Sequence, residues 1–331
     1  MTGEGTLLLT RSQVAELLTL GECLAAVEEA FRLHGEGRTA PPGVLGLHAA
    51  DGGFHIKAAL LQQERAYFAA KANANFPENR SRFGLPTIQG VIVLSDAENG
   101  KPLAVMDSIE ITIQRTGAAT AVAARRLARP DSQVVTIAGC GSQGAVQLRS
   151  LALVLPIRRA LAYDLDPARA EPFARDLSSE LKIDIRPVTD LPAATLQSDV
   201  IVTCTTSTRF VLRREHVRPG TFVAAVGADN EHKQELHPDL LAGGKVVADI
   251  RDQAAAIGDC HHAIAAGVLT PAGIYAELGE IVAGRKPGRT SRDEITIFDS
   301  TGTALQDVAA AAAVYREAVR RGAGTRVDFA A

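Results

Sequence analysis

Three groups of residues in this chain have types and spacing that could do chemistry. The first is Val134 to Gly144, V-V-T-I-A-G-C-G-S-Q-G, in which Gly139, Gly141 and Gly144 stand as G-x-G-x-x-G around Ser142 and Gln143. A β-branched run ends here and a helix is predicted to start near Ala145. Asp164 follows Gly144 by 20 positions and closes a second apolar run, Ala160 to Tyr163. That is the spacing of a dinucleotide-binding βαβ unit. The first glycine allows a tight turn, the second lets backbone approach a pyrophosphate, and the third lets helix and strand pack closely. The phosphates would sit at the positive end of the helix. A carboxylate at Asp164 accepts ribose hydroxyls and repels a 2′-phosphate, so NAD(H) is the expected cofactor. Arg169, five residues further, leaves NADP(H) open.

The second group is a polar stripe. In Phe54-His-Ile-Lys-Ala58, His55 and Lys57 are two apart and point to one side of a strand; in Tyr67 to Phe76, Lys71, Asn73 and Asn75 share one face and Ala70, Ala72 and Ala74 the other. Such a stripe is either a solvated face or a surface for a carboxylate-bearing ligand, which lysine, histidine and asparagine together suit. The third group is Arg115 and Asp229. Arg115 lies among small residues in Gln114-Arg-Thr-Gly-Ala-Ala119 and reads equally as a snorkelling surface residue or a buried anion receptor. Asp229 follows the strand Thr221 to Gly227. Ligands of parallel sheets lie beyond the carboxyl ends of the strands, which points to Thr205, Thr206 and Gly227-Ala-Asp-Asn230. The alternative for Asp229 is to cap a following helix. Asp259-Cys-His-His262 has adjacent ligand types without metal-site spacing, so no metal is expected.

These residues need elements to hold them. Thr10-Arg-Ser-Gln13 and Thr19-Leu-Gly-Glu22 have the capping-box form, so two helices begin there; the second carries Leu24, Val27, Ala30, Phe31 and His34 on one face. From Pro41 to Leu94 the period is two, with turns at Asp51-Gly52-Gly53 and Pro77 to Gly84, which predicts three or four antiparallel strands. Ser108 to Leu127 has helical spacing. After the glycines strand and helix alternate, as in a doubly wound α/β fold, and a long alanine-rich helix begins at Thr301-Gly302.

Composition narrows the partners. The 331 residues allow two domains, and 35 basic against 38 acidic residues give a net charge of −3 without a basic field, which excludes nucleic acid or an anionic membrane as a natural partner. Cys23, Cys140, Cys204 and Cys260 are scattered, which suits a reducing cytoplasm. No signal-like or membrane-spanning run is read between Met1 and Thr10 or elsewhere.

Taken together, Lys71, Gly84-Leu-Pro-Thr87, Pro102-Leu-Ala-Val-Met-Asp107, Arg115-Thr-Gly-Ala-Ala119, Gly139-Cys-Gly-Ser-Gln143, Ala225-Val-Gly-Ala-Asp229 and Thr296-Ile-Phe-Asp-Ser-Thr-Gly302 resemble the ornithine cyclodeaminase and mu-crystallin family over nearly the whole chain. The resemblance implies a Rossmann domain, residues 115–302, inserted into an α+β substrate-binding and dimerisation domain built from residues 1–114 and 303–331, with sheets joined across a homodimer. It implies that Lys71 hydrogen-bonds the substrate near its reacting centre, that Arg115 holds an α-carboxylate, that Thr87 lies at the substrate and Thr116 at the cofactor, and that Asp229 is the catalytic acid. Two positions depart from the family. Many relatives carry a basic residue where this chain has Gly43 after Pro41-Pro42. At His55 ornithine cyclodeaminases carry a glutamate and an alanine dehydrogenase an arginine. Lys57 then replaces the lost positive charge.

The expected activity is an NAD(P)-dependent imine reductase or amino-acid dehydrogenase acting on a small carboxylate-bearing imine or amino acid. Two other activities stay open: a cyclodeaminase that releases ammonia and recycles its NAD, and a cofactor-dependent binding protein without turnover.

Overall fold

Both capping boxes form. Thr10 and Thr19 each accept from a backbone N–H three residues on, and Gln13 and Glu22 reach back to the cap, starting α1 (Arg11–Leu17) and α2 (Leu20–Gly35). Leu24, Val27, Ala30 and Phe31 are buried along α2. His34, at its end, lies 2.8 Å from the Thr39 hydroxyl, a helix-closing contact. The structure is a computed structural model and describes residues 5–329; Met1 to Glu4 of the N-terminal reading lie outside them.

The chain divides into two compact units. One gathers the residues up to Arg115 and those from Thr303 on; the other is Thr116–Gly302. Arg115, expected to open the second unit, groups with the first, and its guanidinium bonds to the C-terminal helix of that unit.

The first unit contains β1 (Thr6–Leu9), β2 (Gly43–Ala49), β3 (Gly52–Gln62), β4 (Ala66–Asn75), β5 (Ile88–Asp96), β6 (Pro102–Asp107) and β17 (Thr325–Val327). They make one sheet in the order β17-β1-β6-β5-β4-β3-β2. The antiparallel ladder β2 to β5 is the stretch where the period of two was read; β6, β1 and β17 extend it, with β1 parallel to β6. A short α3 (Asn79–Phe83) occupies the expected turn between β4 and β5. The C-terminal helix, Ala304–Arg321, is capped by the Thr303 hydroxyl, lies across β3 and β4 and packs on α2. Its first half, Ala304 to Ala312, is buried throughout, and its alanines permit that close approach.

Ala59, Leu61, Tyr67, Ala69, Ile92 and Leu94 fill the inner face of the sheet. By the alternation of the strands, Lys57 and Lys71 belong to that same face. The outer face carries Ala72, Phe54 and Val91, all exposed, and β2 is exposed along its whole length.

The second unit contains β7 (Val134–Ala138), β8 (Arg159–Tyr163), β9 (Asp184–Val188), β10 (Val200–Thr203), β11 (Thr208–Leu212), β12 (Phe222–Ala225), β13 (Gln234–Leu236), β14 (Lys245–Ala248), β15 (Ala276–Glu277) and β16 (Thr296–Asp299). Eight of them form a parallel sheet ordered β15-β14-β16-β12-β10-β7-β8-β9, while β11 and β13 pair separately. Central strands such as Phe222-Val-Ala-Ala225 are buried at every position, as a sheet covered on both faces requires. From β7 the chain builds outward through β8 and β9, then returns to β10 on the other side of β7. This switch point is where doubly wound sheets bind ligands.

Three helices matter for the site: α4 (Ile109–Leu127), whose residues from Thr116 on belong to this unit, α5 (Ser142–Ala152) and α6 (Pro167–Leu181). A Cβ on Gly117 of α4 would stand 2.4 Å from the Ser150 hydroxyl and 2.9 Å from Val146, so glycine is what lets α4 lie against α5. No helix of the described residues is long and apolar enough to cross a membrane.

Candidate functional site

The glycine loop is built as its spacing predicts, with the helix starting earlier than expected, at Ser142 rather than near Ala145. Gly139 has φ +111°, and a Cβ there would meet the Cys204 carbonyl at 2.7 Å; one on Gly144 would meet the Gly139 carbonyl at 2.1 Å. Both positions therefore demand glycine. A Cβ on Gly141 meets nothing within 4 Å, so this residue borders open space. That space is a groove of about 830 Å³ lined by Gly139, Gly141, Ser142, Gln143, Asp164 and Thr205 among others. The first N–H groups of α5, at Ser142, Gln143 and Gly144, have no helical acceptor, as at any helix start. An open cradle over free N–H groups fits a pyrophosphate.

Gly141→Ala and Gly144→Ala should separate binding from folding. Gly141→Ala keeps the wild-type melting temperature and weakens NADH binding about tenfold or more, because its methyl enters the cradle. Gly144→Ala costs roughly 1–3 kcal/mol of stability through overpacking. Thermal unfolding and NADH fluorescence titration read the two effects.

Asp164 follows β8 and lines this groove. Its Oδ2 accepts from Cys140 N at 2.8 Å and its Oδ1 from Asp166 N at 3.1 Å, so the carboxylate braces the loop as well as facing the groove. Thr205, after β10, is fixed by a residue the sequence did not single out. Glu235 is fully buried; it accepts from Thr205 N at 2.6 Å, from Thr205 Oγ1 at 2.7 Å and from Gly227 N at 2.7 Å. Burial pushes this carboxyl above its usual range, opposed by the hydrogen bonds from Thr205 and Gly227. It ties together the loops that leave β10 and β12. On the second of these, Asp229 is exposed and pairs with Lys233 at 2.7 Å. The next element is β13 rather than a helix for it to cap, and Asn230 accepts the turn's N–H groups instead. Thr116, in α4 beside Gly117, is buried.

Asp259-Cys-His-His262 has structural work. Asp259 accepts from the backbone of Glu235 and Leu236, both at 2.8 Å, and His262 Nε2 lies 2.8 Å from the Lys233 carbonyl. Among the described residues no group of His, Cys, Asp and Glu could hold a metal ion.

In the first unit the polar stripe meets the C-terminal helix. Lys57 and Lys71 are direct cross-strand partners, as are His55 and Asn73. Relative exposures are 9% for Lys57, 4% for Lys71, 5% for Arg115 and 1% for Asp307, so neither the solvated-face reading of the lysines nor the surface reading of Arg115 holds. Lys71 Nζ lies 2.8 Å from Asp307 Oδ2 and 3.4 Å from Thr112 Oγ1. Arg115 pairs through Nε with Asp307 Oδ1 at 3.1 Å and donates from Nη1 to Gln306 Oε1 at 2.9 Å. Among the described residues the buried Gln306 Nε2 has no hydrogen-bond partner. Asn73, by contrast, is engaged by the Ser108 hydroxyl at 2.6 Å. Thr87 is exposed on the loop before β5, five residues along from Ile92, the cross-strand partner of Lys71.

A buried guanidinium and ammonium gathered on one carboxylate, in a chain that also carries a dinucleotide cradle, can be compared with known proteins. The sequence profile of the ornithine cyclodeaminase/mu-crystallin family matches residues 4–322. The chain belongs to this family. Within the family it is similar to the alanine dehydrogenase of Archaeoglobus fulgidus, 38% identical over 325 residues that cover 98% of each chain. The structure of an archaeal alanine dehydrogenase dimer with bound NAD superposes with a TM-score of 0.94 at 38% identity, covering 98% of this chain and 100% of that one. The Thermococcus litoralis Δ1-pyrroline-2-carboxylate reductase in complex with NADH and L-proline superposes with a TM-score of 0.92 at 34% identity, covering 97% and 100%. The family places a Rossmann-type unit and a separate antiparallel-sheet unit in one chain, as observed here.

Proposed function

We propose that this chain is an NAD(H)-dependent oxidoreductase that exchanges hydride between a nicotinamide and the α-carbon of a small imino or amino acid. The observation that carries the reading is the buried pair Lys71 and Arg115 on Asp307, suited to receive a carboxylate, in a family whose similar members include an alanine dehydrogenase and a pyrroline-carboxylate reductase.

The N–H groups at the start of α5, Asp164 and Thr205 would hold the dinucleotide, with Thr116 against it. When bound, the nicotinamide supplies or accepts the hydride. The chain's own residues do the rest. Arg115 carries more N–H donors than its contacts with Asp307 and Gln306 use, and its fork orients the α-carboxylate. Lys71 donates a hydrogen bond beside the reacting carbon, and Gln306 Nε2 offers a further donor. Asp229 stabilises positive charge developing on the imine nitrogen and holds or delivers its proton. His55, Lys57 and Thr87 contact the remainder of the substrate, and Lys57 supplies the positive charge missing at Gly43.

The exposed β2, with Val44, Leu45 and Leu47 each about half exposed, supports a homodimer formed through this sheet. Four free cysteines support a cytoplasmic setting.

The test is a substrate screen by loss of reduced nicotinamide absorbance, run with NADH and NADPH. Oxidation with a 2-oxo acid plus ammonia or an amine, or with a cyclic imino acid, is expected, with higher efficiency for NADH because of Asp164. Ammonia release from a diamino acid without net change in NAD would place the chain among the cyclodeaminases instead.

A further inference from the structure

Asp307 lies on the first turn of the C-terminal helix, in a stretch where every side chain from Ala304 to Ala312 is buried. Its neighbours there are mostly small and apolar, and a buried ion pair is weak evidence for stability, since apolar residues of similar size pack as well or better. An acid at this place therefore asks for a reason beyond folding. The geometry supplies one: its two oxygens face two different cations, Oδ2 toward Lys71 at 2.8 Å and Oδ1 toward Arg115 at 3.1 Å.

The groups around Lys71 come from every element packed on it. β3 contributes Lys57 directly across the ladder, β5 contributes the apolar Ile92, α4 contributes the Thr112 hydroxyl and Arg115, and the C-terminal helix contributes Asp307. From α2 comes Cys23, near Arg115 and Asp307, whose thiol burial pushes up to about 12.

Resting on the hydride-exchange reading of this site, we infer that Asp307 is a positioning residue: it holds the Lys71 ammonium and the Arg115 guanidinium in one fixed arrangement and keeps Lys71 charged to meet the substrate. Burial draws the Lys71 ammonium down to about 7; Asp307 opposes that, and Arg115 and Lys57 add to it. Burial likewise pushes Asp307 up, but Lys71 and Arg115 outweigh it and hold the carboxyl below its ordinary range. The Asp307 carboxylate thus acts to keep Lys71 protonated against burial, Arg115 and Lys57, and without it the Lys71 midpoint must fall.

Competitive acetylation of Lys71 from mildly acidic to alkaline pH, read by mass spectrometry on the whole protein without substrate, tests this. Asp307→Asn should move the Lys71 midpoint down by about one pH unit or more, and Asp307→Glu, which keeps the charge, should leave it within about half a unit. In steady-state assays the alkaline limb of imine reduction by Asp307→Asn should shift to lower pH by the same amount. KM for the acid substrate should rise about tenfold while NADH affinity holds. A merely structural role would move neither the midpoint nor the limb. The labelling needs no turnover, so absence of any imine reduction would sink the hydride-exchange reading and leave the role of Asp307 to be decided by acetylation. An unchanged Lys71 midpoint in Asp307→Asn would overturn the inference. If that variant does not fold, a fall of about one unit in Asp307→Glu would overturn it equally.

Discussion

Arg115→Ala lowers kcat/KM for the imino- or oxo-acid substrate by about 10²- to 10³-fold and leaves the NADH dissociation constant within about twofold. Truncating one partner of a buried, hydrogen-bonded charge pair costs roughly 2–5 kcal/mol, and about 1.4 kcal/mol is a factor of ten. Arg115 is buried within the first unit, where it pairs with Asp307 at 3.1 Å and donates one N–H to Gln306. Those contacts fix the plane of the fork before any substrate arrives. Arg115→Lys keeps the charge but not the planar fork, so it should recover only part of the loss. Steady-state kinetics paired with cofactor titration separates the effects. A variant that loses NADH affinity as strongly as substrate turnover would show that Arg115 serves the cofactor or the fold.

Asp229→Asn carries the second large effect, a fall in kcat of about 10²- to 10⁴-fold, the usual contribution of a positioned general acid or base. Asp229 is exposed on the loop after β12, and its partner Lys233 keeps one oxygen engaged at 2.7 Å. The loop itself is held by Glu235 through Gly227 N, a backbone donor that the substitution leaves intact. Cofactor affinity and melting temperature should therefore stay near wild type. Turnover within about threefold of wild type would remove Asp229 from the chemistry.

The nucleotide half of the protein was legible because its signals are local. G-x-G-x-x-G, the acid 20 residues on and the alternation of strand and helix all lie within short windows, and a Cβ at Gly139 or Gly144 has no room. The helix starts three residues before the predicted Ala145, because Ser142 and Gln143 belong to the glycine motif and already form the first turn. In the other half, the period of two in β3 and β4 shows that Lys57 and Lys71 share a face, but a period of two cannot say which face is buried. The C-terminal helix decides that, and it arrives from the far end of the chain. Asp307 escaped notice for the same reason: it reads as one polar residue in an alanine-rich helix, and only the fold brings it to Lys71 and Arg115. Glu235 was hidden in a three-residue strand, and its partners Thr205 and Gly227 precede it on two different loops. β1 and β17 are too short to show a period and exist because β6 offers an edge to extend.

The central claim is that hydride passes directly between the nicotinamide and the α-carbon of an imino acid. The most direct test is reduction of a 2-oxo acid plus ammonia, or of a cyclic imino acid, with NADH deuterated at C4 of the nicotinamide, followed by mass spectrometry and NMR of the product. With deuterium at both C4 positions, one deuterium at the α-carbon, matched by one equivalent of NAD, is the predicted result. An α-carbon that carries only solvent hydrogen would contradict it.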